Sequence, residues 1–289
     1  DTIRRVPGVV DKVIKERKEL TAGLFAYLGD KLSSINEIVL IGSGTSNTCS
    51  MTSHEFVEKA SGISTTVLLP NLFLEKCAYN PNALYIFTSQ SGTSTLTQKA
   101  LLKMKELGNL TVAVTEDASS PLASVGGCHI LMETDHEEYG CRTIGYCMSA
   151  FTHMITAMEI GLARGTLSEA DYASYLKDAE AAAVHHSELC DATMQWFDKN
   201  KWRLMNKDGY ALYGSGALYG VAVEGALKCL EIAKRYLCVG YEMDDGMHGP
   251  TMGFTNRTAV IILNNGRNTE IANGLAHYIK AEVGDAFVI

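Results

Sequence analysis

Residues 37–46 read EIVLIGSGTS: a strand with four aliphatic residues in a row that stops abruptly at a Gly-Ser-Gly turn. A short apolar run closed by a glycine turn marks a strand buried on both faces. The residues beyond the turn, Thr48–Ser61, predict a helix, so the stretch reads strand, turn, helix. Outward from it the same alternation continues. Strands are predicted at Thr65–Leu69, Leu84–Thr88, Leu110–Val114 and Cys128–Met132, with helices at Leu96–Leu107 and Ile144–Arg164. A helix over 8–32 precedes them all, with Val9, Val13, Ile14, Leu20, Leu24 and Leu28 mostly three or four residues apart. Such alternation gives a parallel sheet covered on both faces. The first half is therefore predicted to be a five-stranded, doubly wound α/β unit.

A second copy follows. Residues 210–218 read YALYGSGAL, again a strand, a Gly-Ser-Gly turn and a helix, predicted over Ala217–Arg235. Gly44 and Gly216 lie 172 positions apart, and Gly92 (TSQSGTS) and Gly266 (LNNGRNT) lie 174 apart. Two matched loops at nearly one offset indicate a duplicated fold. Further strands are predicted at Ala259–Leu263 and Ala286–Ile289, with a helix at Thr269–Glu282 between them. The stretch 166–207 is Ala/Glu-rich, has high helix propensity and reads as a helical bridge. The domain plan is then an N-terminal helix (1–34), a first α/β domain (35–165), the bridge (166–207) and a second α/β domain (208–289). Comparison of the two copies predicts a further strand and helix beyond Ile289, on the order of 50 residues.

Composition narrows the partners. With 289 residues, 46% of them hydrophobic, the core needs no disulfide or metal to hold it. A net charge of −8 argues against nucleic acid or an anionic membrane as the main partner. The eight cysteines form no C-x-x-C pair, so free thiols and a cytoplasmic setting are expected. No apolar run is long enough to span a bilayer, and the opening residues do not form a signal peptide.

Ligands of doubly wound sheets bind at the carboxyl edges of the strands. Thr45, Ser46, Ser89, Gln90, Ser91, Thr93 and Ser94 place hydroxyls and an amide there, beside two predicted helix N-termini. Backbone N–H groups and hydroxyls so arranged suit a phosphate. Plain helix capping is the competing account of the hydroxyls. A dinucleotide is a second competitor, because Gly214-x-Gly216-x-x-x-Gly220 resembles a dinucleotide turn. Its acidic partner would be Glu242, which sits among polar residues with no strand predicted before it. In the second half Glu224, Lys228 and Glu231 fall at i, i+4 and i+7 on one helix face. They form either a surface ladder or a charged stripe suited to moving protons. His248, between Met247 and Gly249-Pro250, is expected in a loop rather than in the core.

Together Gly42–Ser46, Ser89–Ser94, Val223–Glu231 (VEGALKCLE) and His248-Gly-Pro250 resemble the sugar isomerase (SIS) family in its double-domain form. The likeness covers about residues 35–289 and is greatest to the isomerase half of glutamine–fructose-6-phosphate amidotransferase and to the fructosamine-6-phosphate deglycases. It implies two tandem flavodoxin-like SIS domains, the second one incomplete within this sequence. It implies substrate phosphate binding by Thr45, Ser46, Ser89, Gln90, Ser91 and Ser94. By the same resemblance Glu231 transfers a proton, His248 opens the sugar ring, and Glu224 and Lys228 support them. A homodimer with sites near its interface is implied, as is a catalytic lysine near the family's C-terminus. Arg142-Thr-Ile-Gly145 departs from the amidotransferase pattern Ser-Thr-Lys, and Met247 replaces the basic residue before His-Gly-Pro.

The activity implied is that of a sugar-phosphate isomerase or deglycase acting on an amino- or N-glycated hexose 6-phosphate. A proton moves between C1 and C2 through an enediol- or enolamine-like intermediate, with neither metal nor redox cofactor. No glutaminase segment precedes the likeness, which favours a deglycase. A simple ketose–aldose aminosugar-phosphate isomerase and a non-catalytic phosphosugar sensor are the alternatives.

Overall fold

The computed structural model describes residues 2–134, 137–138, 140–234 and 236–289. The helices are α1 (Val6–Leu28), α2 (Thr45–Ser61), α3 (Pro70–Leu74), α4 (Thr95–Glu106), α5 (Pro121–Val125), α6 (Ile144–Arg164), α7 (Glu169–Met205), α8 (Ala217–Ala233), α9 (Met243–Met247) and α10 (Thr269–Glu282). The strands are β1 (Glu37–Ile41), β2 (Ser64–Leu68), β3 (Ala83–Thr88), β4 (Leu110–Thr115), β5 (Cys128–Leu131), β6 (Gly209–Gly214), β7 (Leu237–Glu242), β8 (Thr258–Ile262) and β9 (Ala286–Val288). Short 3₁₀ turns flank α1 and follow α9. The chain divides within α7, between Ser187 and Glu188, into two compact units.

In the first unit five parallel strands run in the order β2-β1-β3-β4-β5. Successive strand side chains point to opposite faces, so a strand covered on both faces must be apolar throughout. Strand β1 shows this division directly. Ile38 and Leu40 join Leu84, Ile86, Val112 and Val114 under α1, α2 and α6. Val39 and Ile41 join Tyr85, Phe87 and Ala113 on the other face, with Phe73, Leu101, Met104 and Leu122 from α3, α4 and α5. Each such side chain taken fully out of water contributes about 1.5–3 kcal/mol. That is why the strand predictions from apolar runs match the observed strands to within a residue. The strand order reverses between β1 and β3, and their carboxyl ends open the crevice where a doubly wound sheet takes its ligand.

The second unit has four parallel strands in the order β7-β6-β8-β9. Its core joins Ala211, Tyr213, Val260 and Ile262 to Ala272, Leu275, Ala276 and Ile279 of α10. The duplication is visible in the backbone. Gly44, before α2, has φ 57° and ψ −129°, and Gly216, before α8, has φ 58° and ψ −129°. Both require the positive φ that glycine adopts without strain.

Strand β7 corrects the sequence reading, which placed no strand ahead of Glu242. It is an edge strand whose apolar run, Leu237-Cys238-Val239, is broken by Gly240 and begins only three residues after α8. The predicted helix to Arg235 is seen as far as Ala233, and Arg235 lies outside the described residues. The expected loop before His248 is the short helix α9. Among the described residues, no helix is long and apolar enough to cross a membrane.

Candidate functional site

Strand β1 ends at Ile41, paired in register with Phe87 of β3, so the loops 42–44 and 89–94 emerge side by side. The first loop delivers Thr45 and Ser46 as the opening residues of α2. The second begins with the buried Ser89, whose N–H donates to Val114 O (3.1 Å) and whose carbonyl accepts from Gly92 N–H (2.9 Å). The six sequence-predicted phosphate residues thus lie at one sheet edge, two in the first turn of α2 and four on the 89–94 loop.

At neither α2 nor α4 does the N-cap residue make a side-chain capping bond. The α2 N-cap is Gly44, which has no side chain, and Ser94 at the N-cap of α4 makes no side-chain bond to the helix backbone. Ser94 Oγ lies 2.9 Å from Thr97 Oγ1, and Ser91 Oγ lies 2.7 Å from Thr93 Oγ1. Ser120 offers the contrast, because its hydroxyl accepts from Ala123 N–H at the head of α5.

The side wall of this edge was not read from the sequence. Gln90 Nε2 donates to Glu116 Oε2 (2.8 Å), and Gln90 O accepts from Glu116 N–H (2.9 Å). Glu116 also accepts from Thr134 Oγ1 (3.1 Å) and pairs with Arg142 Nη2 at 3.7 Å. Beside them the buried Glu137 carboxylate accepts from the N–H groups of Thr143 (2.6 Å), Ile144 (2.9 Å) and Gly145 (3.0 Å) at the start of α6. A carboxylate there satisfies orphan donors and complements the helix dipole. No motif marks Gln90, Glu116, Glu137 and Arg142 as neighbours; the pairing of β3 with β4 and the connection from β5 to α6 gather them.

In the second unit α8 carries the predicted stripe. Lys228 Nζ lies 3.3 Å from Glu224 Oε1 and 2.8 Å from Glu231 Oε2. Burial of Lys228 pulls its pKa down, but the bonds to Glu231 and Glu224 outweigh this and raise it, so the ammonium stays charged. Side-chain exposure rises along the stripe from 7% at Glu224 through 21% at Lys228 to 41% at Glu231, so the ladder runs from the core to the surface. His248 caps the end of α9 with 76% of its side chain exposed, its Nε2 3.6 Å from Asp244 Oδ1. Among the described residues it is not bonded to Glu224, Lys228 or Glu231.

Strand β7 brings Glu242 beside the second Gly-Ser-Gly turn, where the dinucleotide reading needs its acid. There the carboxylate accepts from Ser215 Oγ (2.8 Å) and from the N–H groups of Asp244 (2.7 Å) and Asp245 (3.2 Å). Burial pushes its pKa up, but these donors prevail and hold it below the usual carboxylate range. Glu242 therefore acts as the cap of α9 and the anchor of the 214–216 turn.

Residues 31–160 match the SIS domain model. This stretch is similar to SIS domains. The SIS domain spans all five strands of the first sheet and both hydroxyl loops. Over 94% of its length the chain is 27% identical to glutamine–fructose-6-phosphate aminotransferase (isomerizing) of Xanthomonas campestris, and it spans about half, 45%, of that relative. Its fold is that of the C-terminal domain of glucosamine-fructose-6-phosphate aminotransferase from Francisella tularensis, with TM-score 0.86 and 19% identity, covering 99% of this chain and 81% of that one. Tagatose-6-phosphate ketose/aldose isomerase from Escherichia coli is similar too, with TM-score 0.78 and 18% identity over 99% of this chain and 80% of that one. Both units thus share the tandem architecture of phosphosugar isomerases.

Proposed function

We propose that the chain is a phosphosugar isomerase or deglycase acting on an amino- or N-glycated hexose 6-phosphate. The observation that carries this reading is the hydroxyl-rich β1/β3 edge, where the start of α2 and the 89–94 loop adjoin and neither N-cap residue makes a side-chain capping bond. Thr45, Ser46, Ser89, Gln90, Ser91 and Ser94 bind the phosphate through neutral donors, which suits a chain that is acidic overall. Glu231 moves the proton between C1 and C2 as general base and then general acid. Lys228, bonded to Glu231, orients that carboxylate, and Glu224 holds Lys228 from the buried side. His248, exposed at the end of α9, assists ring opening.

The similarity to the isomerizing aminotransferase supports aminosugar phosphate chemistry, and we favour release of the amine over simple isomerisation. The test is amine release from a glycated hexose 6-phosphate by the wild-type chain and by Glu231→Gln. Turnover should fall by at least about 100-fold in the variant. Equal turnover would overturn the role of Glu231, whereas binding without turnover by the wild type would make the chain a phosphosugar sensor. The same reading makes the working protein a homodimer in the cytoplasm, and light scattering on the purified chain tests the dimer.

A further inference from the structure

Helix α6 is largely buried, yet its centre carries a histidine, His153, with only 2% of its surface exposed. Helix α2 packs along α6 so closely that a Cβ at Gly161 would lie 1.9 Å from Ala60 O. This approach brings His153 against Ser53 of α2 on one side and Thr88, the last residue of β3, on the other. His153 Nδ1 lies 3.1 Å from Ser53 Oγ, and Nε2 lies 2.8 Å from Thr88 Oγ1. Ser53, Thr88 and the neighbouring Ser50 are completely buried.

These bonds form a continuous chain. Ser50 Oγ donates to Ser46 O (2.9 Å), and Ser53 Oγ donates to Ser50 O (3.3 Å). With its proton committed there, Ser53 Oγ accepts from His153 Nδ1–H, which leaves Nε2 to accept the Thr88 hydroxyl proton. Burial pushes the His153 pKa down to about 4, so the ring is neutral and serves as donor and acceptor at once. One end of the chain is Ser46, on the first hydroxyl loop. The other is Thr88, peptide-bonded to Ser89 on the second. An apolar side chain would pack this site without the cost of desolvating three polar groups, whereas a satisfied polar network holds its partners in one arrangement. Thr52 Oγ1, 2.7 Å from Tyr146 OH, ties the same two helices one residue away.

We propose that His153 is a positioning residue that sets the spacing of the two hydroxyl loops and thereby the affinity of the SIS domain for phosphate. This rests on the phosphate reading of those loops given above. Misplacement of binding groups by about 1 Å has large effects, so the expected loss on cutting the chain of bonds is about 10-fold in affinity.

The experiment is calorimetric titration of the purified chain with inorganic phosphate, comparing wild type, His153→Phe, His153→Gln and Thr88→Val. His153→Phe and Thr88→Val should each weaken binding about 10-fold with stoichiometry unchanged, and His153→Gln, which keeps a donor and an acceptor, should stay within about 3-fold. A residue needed only for folding gives a different pattern: fewer binding-competent molecules of unchanged affinity. That result, or wild-type affinity in both His153→Phe and Thr88→Val, overturns the inference while leaving the phosphate reading intact. If His153→Phe does not fold, Thr88→Val and Ser53→Ala decide by the same criterion. Absence of phosphate binding by the wild type overturns the phosphate reading itself and the inference with it.

Discussion

Gly145→Ala separates binding from stability at the hydroxyl loops. Gly145 is the second residue of α6, and a Cβ built on it would lie 1.9 Å from Gln90 Oε1. An ordinary contact lies near 3.5 Å, so the Gln90 amide must retreat by about 1.5 Å, which breaks its 2.8 Å bond to Glu116. Losing one hydrogen bond to a partly exposed carboxylate costs about 1 kcal/mol, and Glu116 keeps Thr134 and Arg142 as partners. Alanine in place of glycine within a helix returns up to about 1 kcal/mol. The Gly145 N–H still reaches Glu137, because alanine retains it. Net stability should therefore change by less than about 1 kcal/mol, a midpoint shift of no more than about 4 °C. Phosphate affinity, in contrast, should fall about 10-fold because Gln90 leaves its loop. The assay pairs a thermal melt with phosphate titration for Gly145→Ala, Gln90→Ala and the double variant. Since both changes act through the one amide, the double variant should bind no more weakly than Gln90→Ala alone. Unchanged affinity in Gly145→Ala, or additive losses in the double variant, would refute the reasoning.

Glu137→Ala strips three N–H groups at the head of α6 of their acceptor in a buried setting, which should cost about 2–4 kcal/mol and lower the melting midpoint on the order of 10 °C. A melt within about 2 °C of wild type would show that water replaces the carboxylate freely. In the second unit, burial pushes the Asp285 pKa up, but bonds from Lys207 and Arg203 outweigh it and hold it below the ordinary carboxylate range. That stabilisation is complete above the unfolded-state pKa, near about 4, and is lost as pH falls through the lower folded value. Urea unfolding of Asp285→Asn between about pH 3 and pH 6 should therefore show a flatter pH dependence than wild type. An equally steep decline in the variant would assign the acid sensitivity to other groups.

Much of the fold was legible because buried parallel strands must be apolar along their whole length. EIVLI and ALYIFT therefore announce themselves, and a glycine turn punctuates the first. Strand β7 is not legible in the same way. Its apolar run is short, is broken by Gly240 and follows α8 after only three residues, so nothing separates it from the helix before it. The short helices α3 and α5 carry one local signal, proline at the first helical position. Of the candidate site, the hydroxyl loops and the Glu224–Lys228–Glu231 stripe were legible because each is local, set by a turn or by helical spacing. The anchoring of Glu242 is not legible, because its bond to Ser215 spans 27 residues of chain.

Sequence by itself determined the duplicated α/β architecture, the two glycine turns and the residue types at each strand end. All of these follow from periodicity and backbone sterics acting over a few neighbouring residues. Tertiary structure alone decided which of those residues meet. Strand order set Gln90 against Glu116, and the close approach of α2 and α6 threaded His153 between Ser53 and Thr88. No local pattern encodes such contacts, because they join residues 26 to 100 positions apart whose proximity is fixed only when the sheet and helices pack.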